Sequence, residues 1–83
     1  MQIWKIEFTP PARRYIHSLP ADEQTRLLKG IYKLPTGDVL KLKGTKNMFR
    51  LRVGDHRIVF SKDKNLLKIL IIKIGNRKDV YEK

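Results

Sequence analysis

The stretch "MFRLRVGDHRIVF", residues 48–60, alternates apolar side chains with arginines on both sides of a Gly-Asp pair. Alternation marks a half-buried strand, and its outward positions need only tolerate water. Here they are Arg50, Arg52 and Arg57. A guanidinium is always charged, planar and forked, so it holds phosphate or carboxylate oxygens two at a time. Three of them on paired strands can grip an oxyanion and offset negative charge that develops on it. A plain solvated face would also use charged outward positions, so the rest of the chain must decide.

Charge decides part of it. The 83 residues carry a formal net charge of +11, from 19 Lys+Arg against 8 Asp+Glu. Residues 1–40 hold six basic and four acidic groups, net +2, whereas residues 41–83 hold 13 basic and four acidic, net +9. A basic excess concentrated in one half implies a polyanionic partner: nucleic acid, an acidic protein or an anionic membrane. The membrane fits worst, because that half shows no basic amphipathic helix. The longest apolar run, Ile69 to Ile72, is far short of the ~20 residues that span a bilayer. The N-terminus lacks the pattern of a signal peptide. No cysteine is present, which fits a reducing cytoplasm and removes thiolate metal sites. His, Asp and Glu show no ligand spacing either, so neither a metal nor a small-molecule cofactor is expected.

The elements that must position the arginines can be read from periodicity. Trp4, Ile6 and Phe8 alternate with Lys5 and Glu7, a leading strand with one buried face. Thr9 suits a helix N-cap and Pro10 the first helical position. Ala12, Tyr15, Ile16 and Leu19 then fall on one helical stripe, which Pro20 ends. A second helix is expected over about Ala21–Lys33, with Leu27, Leu28, Ile31 and Leu34 inward, stopped by Pro35-Thr36-Gly37-Asp38. From Val39 the period becomes two. Leu40 and Leu42 alternate with Lys41 and Lys43, and Gly44 to Asn47 turns the chain. Phe49, Leu51 and Val53 then oppose Arg50 and Arg52, Gly54-Asp55 makes a tight hairpin, and Ile58 and Phe60 return. Lys62 to Asn65 is the next turn. Leu66–Ile74 reads as a central strand covered on both faces and ended by Gly75, with "NRKDVYEK" as a tail. The expected fold is a single α+β domain over residues 1–83. It comprises an N-terminal strand, a helical hairpin, then a twisted, mainly antiparallel sheet of three to four strands. The helices cover one face, and the arginines project from the other. Trp4, Tyr15 and Tyr32 are expected in the core or at the helix interface, and His17 and His56 in structural roles.

The order of "LKGTKNMFRLRVGDHRIVF" and "IIKIGNRKDVYEK" resembles the RelE/ParE superfamily of bacterial and archaeal toxins over essentially the whole chain. R-x-R-V-G-D-x-R and G-x-R-x-D-V-Y are its most specific pieces. The resemblance implies the RelE-like microbial RNase fold. It further implies, in the RelE branch, a ribosome-dependent endoribonuclease that cuts mRNA and is held inactive by an antitoxin, here an acidic one. By position, Arg50 and Arg52 match the paired basic residues of the first hairpin strand. Arg57 matches the arginine of the second, Arg77 the arginine after the last strand, and Tyr81 the terminal tyrosine. Lys41, Lys43, Lys46 and Lys78 are the expected contacts to ribosomal RNA, although a solvated surface accounts for Lys41, Lys43 and Lys46 equally well. Where the best-studied branch has lysines, this chain has Arg50 and Arg52. His56 stands where tyrosine is common.

Metal-free RNA cleavage lets the ribose 2′-OH attack the adjacent phosphorus. The site must take that proton, stabilise charge on the phosphoryl oxygens and protonate the leaving 5′-oxygen. Arginine, with a pKa above ~12, is no base but grips phosphate well. Tyr81 is the candidate for proton transfer, its phenol acidified by neighbouring guanidiniums. Two other functions fit the same sequence. One is a ParE-like inhibitor of DNA gyrase without RNA chemistry, since hairpin arginines occur in that branch too. The other is a basic module that binds nucleic acid without altering it.

Overall fold

The computed structural model describes residues 3–76. In chain order they form β1 (Lys5–Phe8), α1 (Pro10–His17), α2 (Ala21–Ile31), β2 (Val39–Lys41), β3 (Met48–Val53), β4 (His56–Asp63) and β5 (Lys68–Asn76). Among these residues the strands make one five-stranded sheet in the order β1-β5-β4-β3-β2. The architecture is α+β as expected, with one strand more than the upper count. The additional member is the leading strand, which joins the sheet by running parallel to β5 with Ile6 beside Ile69 and Phe8 beside Ile71. Parallel neighbours need a long crossover, and here the chain from α1 through β4 intervenes.

Both helices start and stop for local reasons. The Thr9 hydroxyl accepts the Ala12 N–H at 3.3 Å, and Pro10 and Pro11 occupy positions whose N–H groups would have no helical partner. Helix α2 carries Asp22 and Glu23 in its first turn, where the helix dipole favours negative charge. It ends at Ile31 rather than near Lys33. Lys33 N–H and Leu34 N–H bond the carbonyls of Gly30 and Ile31, tightening the chain into i→i+3 turns before Pro35.

The core lies between the helices and one face of the sheet. Ala12, Ile16, Leu27, Ile31 and Leu34 are buried against Leu51, Ile58, Phe60, Ile69, Ile71 and Ile74. Trp4, Tyr15, Leu19 and Leu28 pack partly buried around them. Tyr32 departs from expectation: it is 61% exposed, one ring edge meeting Phe8 with centroids 6.5 Å apart.

Strand β5 also departs from expectation. It is covered on one face: Ile69, Ile71 and Ile74 are buried, Leu70 and Ile72 are half-buried, and Lys73 is exposed. Residues 71 and 74 differ in parity, so a regular strand would place them on opposite faces. A bulge resolves this. Val59 pairs with Lys73 but Phe60 pairs with Ile71, leaving Ile72 as the additional residue. The Ile72 carbonyl accepts the Thr9 hydroxyl at 2.7 Å, so the residue that caps α1 also holds the bulge. The strand continues through Gly75, paired with Arg57, to Asn76.

Candidate functional site

Cross-strand register sets the site on the sheet face opposite the helices. Arg50 pairs with Val59 and Arg52 with Arg57, and β2 and β5 add Leu40 beside Arg50, Lys73 beside Val59 and Gly75 beside Arg57. The two-residue turn that joins the strands takes φ +58 at Gly54, the conformation of the first position of a type II′ turn. Guanidiniums directly opposite each other repel unless an anion lies between them.

Two of the arginines do not project into solvent. Arg50 is 6% and Arg57 3% exposed, whereas Arg52 is open. Burial of a charge is costly without compensation. Arg57 Nη1 donates to the Gly54 carbonyl at 3.3 Å and the His56 carbonyl at 3.4 Å, which ties its head to its own turn. Arg50 and Arg52 share Asp38. Arg52 Nε donates to Asp38 Oδ2 at 2.7 Å, and Arg50 Nη2 lies 3.8 Å from Oδ1. Arg50 Nε has no hydrogen-bond partner among the described residues. The hydrogen bond from Arg52 holds the Asp38 carboxyl below its ordinary value, aided by the charges of Arg52, Arg50 and Arg57, with desolvation opposing. Gly37, at φ +113, delivers the chain into this position, and Arg52 N–H bonds the Asp38 carbonyl at 3.1 Å.

The helices reach the site through His56, the residue before Arg57. The Tyr15 hydroxyl and His56 Nδ1 are 2.9 Å apart, the two rings meet edge-on at 5.6 Å, and His56 Nε2 lies 3.5 Å from Glu23 Oε1. One residue of each helix thus grips the start of β4 from the core side while Arg57 leaves on the other.

The surface sets three guanidiniums and one carboxylate side by side, an arrangement that can hold a forked oxyanion. Residues 6–81 match the family model described as ParE toxin of type II toxin–antitoxin system, parDE. The chain belongs to the RelE/ParE superfamily of type II toxins. It is 26% identical to toxin RelG of Mycobacterium tuberculosis, covering 96% of this chain and 98% of that protein. Among solved structures, the archaeal RelE–RelB complex from Pyrococcus horikoshii matches with TM-score 0.78 and 26% identity over 92% of this chain and 97% of that one. The intact E. coli RelBE toxin–antitoxin complex is alike in fold, with TM-score 0.73 at 16% identity over 88% and 95% of the two chains.

Of the residues expected in the toxin's site, Arg50, Arg52 and Arg57 come together. Arg77, Lys78 and Tyr81 lie outside the described residues. Lys41 pairs with Phe49, whose ring stacks on buried Phe60, so register puts it on the face away from the arginines. Lys43 and Lys46 are exposed in the connection between β2 and β3. Two members of the toxin's face carried no usable sequence signal. Asp38 sits in a segment that reads as a helix stop, and Lys73 interrupts an apolar run whose phase depends on the bulge. Leu40, 57% exposed beside Arg50, adds an apolar edge to the same face.

Proposed function

We propose that this toxin is a ribosome-dependent mRNA endoribonuclease, acting in the cytoplasm and held inactive by a cognate acidic antitoxin. The observation that supports the reading best is the pairing of Arg50 and Arg52 with one carboxylate, with Arg57 opposite Arg52 in the strand register, on the sheet face away from the helices. A face built to hold an anion this closely suits the phosphate of a scissile linkage. In this reading Arg57, aimed by its turn, and Arg77 stabilise charge on the phosphoryl oxygens. Arg50 and Arg52 position the phosphate, and the Tyr81 hydroxyl moves the proton. The nucleophile is the substrate's own 2′-OH, so the protein needs no metal. Such a weak acid–base set gains speed from orientation, which the ribosome supplies. The complexes formed by the P. horikoshii and E. coli relatives support an antitoxin partner.

The test uses ribosomes programmed with a defined mRNA. The wild-type toxin is expected to cut all-ribose mRNA, and a 2′-deoxyribose 5′ of the cut should abolish cleavage while leaving binding nearly unchanged. Tyr81→Phe should slow the chemical step by ~10²–10⁴-fold. Full cleavage of the deoxy substrate would exclude the 2′-OH mechanism. The family model that matches is that of ParE toxins, which favours one second reading, inhibition of DNA gyrase without RNA chemistry. Absence of RNA cleavage together with inhibition of gyrase supercoiling would decide for it.

A further inference from the structure

Asp38 occupies the one place where a single forked anion touches both Arg50 and Arg52 among the described residues. Its two carboxylate oxygens present the same forked acceptor as two phosphate oxygens, one toward Arg52 at 2.7 Å and the other toward Arg50 at 3.8 Å. We propose that Asp38 is the resident anion of the arginine cluster, a built-in competitor that a nucleic-acid phosphate must displace before the site can engage it. The proposal rests on the phosphate-handling reading above and adds a regulated step to it.

Four observations carry it. The Arg50 side chain is 8% exposed, so its charge needs a partner while the site is empty of substrate. The Asp38 side chain is 47% exposed and so can leave toward solvent. Its backbone does not have to follow: the Asp38 carbonyl stays bonded to Arg52 N–H, and Val39 N–H closes a tight turn onto the Gly37 carbonyl at 2.9 Å. Rotation about the side chain alone exchanges one anion for another. Finally, Arg57 stands directly opposite Arg52 in the strand register and adds a weaker charge contribution at the carboxylate, so Asp38 is held by two guanidiniums with a third behind them. A single monoanion there lowers the attraction for any phosphate without abolishing it. Substrates that add contacts elsewhere on the basic half overcome the competition, and isolated phosphates do so poorly.

The experiment titrates the full chain with pyrophosphate at constant ionic strength, by calorimetry, for wild type, Asp38→Asn and Asp38→Glu. Asp38→Asn keeps the shape and removes the charge, and it should bind pyrophosphate about tenfold more tightly, the size of one partly screened charge contact. Asp38→Glu keeps the competitor and should stay within about threefold of wild type. Where Asp38→Asn is marginally folded without anion, its melting temperature should climb more steeply with pyrophosphate than that of wild type. Equal or weaker binding by Asp38→Asn, or equal melting slopes, would overturn the proposal. Cleavage is read separately. Tighter pyrophosphate binding without RNA cleavage by either protein keeps the resident anion and removes the nuclease. Cleavage by wild type with pyrophosphate affinity unaltered by Asp38→Asn keeps the nuclease and removes the resident anion.

Discussion

Arg50 and Arg57 are buried on neighbouring strands, yet they are held differently. Arg57 is fastened to the carbonyls of its own turn, and Arg50 faces a carboxylate that can be exchanged. Arg57 is therefore the more rigid donor, and rigid donors stabilise developing charge without reorganising. Arg57→Ala should lower cleavage on programmed ribosomes by ~10²-fold or more in single-turnover assays. Lys46→Ala, in the exposed connection, should instead weaken binding and flatten its salt dependence. Equal small effects from both changes would mean a solvated face. Asp38 makes an independent prediction at the same scale. Its folded-state pKa lies below the ordinary 3.8, so its ion pairs contribute fully above that value and are lost as pH falls through the lowered one. Thermal melts from neutral pH into this acid window should show stability falling in wild type. The fall should be shallower in Asp38→Asn, which has no carboxyl to protonate there.

Helix α2 approaches β3 closely enough that a Cβ on Gly30 would lie 2.6 Å from Val53 Cγ2. Val53 ends the strand that carries Arg50 and Arg52, and the hairpin turn follows it. Gly30→Ala gains about 1 kcal/mol of helix propensity but overpacks this contact, which typically costs about 1–3 kcal/mol. Net destabilisation is expected by denaturant melts, with reduced activity as the hairpin shifts. Adding Val53→Ala opens the space and should recover part of the loss, a coupling of about 0.5–3 kcal/mol in a double-mutant cycle. Strict additivity would show that helix and hairpin do not communicate through this contact. Thr9 links elements in the same manner, since one hydroxyl serves both the α1 cap and the bulge that phases β5.

At the scale of the whole molecule, the charge of +11 is carried chiefly by residues 41–83, the half that contains β3 to β5. Association with the proposed acidic antitoxin should therefore be steered by electrostatics, with apolar anchors supplying most of the affinity. Raising salt from about 50 to about 300 mM should slow the association rate by about tenfold or more and change the dissociation rate little, measured by stopped flow. A salt-independent association rate would refute steering. Among the described residues no helix is long and apolar enough to cross a membrane.

Local rules reach a long way into this chain. The cap at Thr9, the stripe of Ala12, Ile16, Leu27 and Ile31, and the alternation through Phe49 to Phe60 all depend on neighbours a few residues apart, so composition and period sufficed to place them. The shared face of Arg50, Arg52 and Arg57 was legible for the same reason. Only the tertiary structure decided the rest. The phase of β5 is set by a bulge whose carbonyl is satisfied by Thr9, 63 residues away, so Leu66–Ile74 read as covered on both faces when it is not. Burial of Arg50 depends on strands brought together from separate parts of the chain. Asp38, an unremarkable turn residue by sequence, acquires its role because the β2–β3 pairing sets its carboxylate against two guanidiniums. Charge–charge distance is a property of register and packing, and no pattern along the chain encodes it.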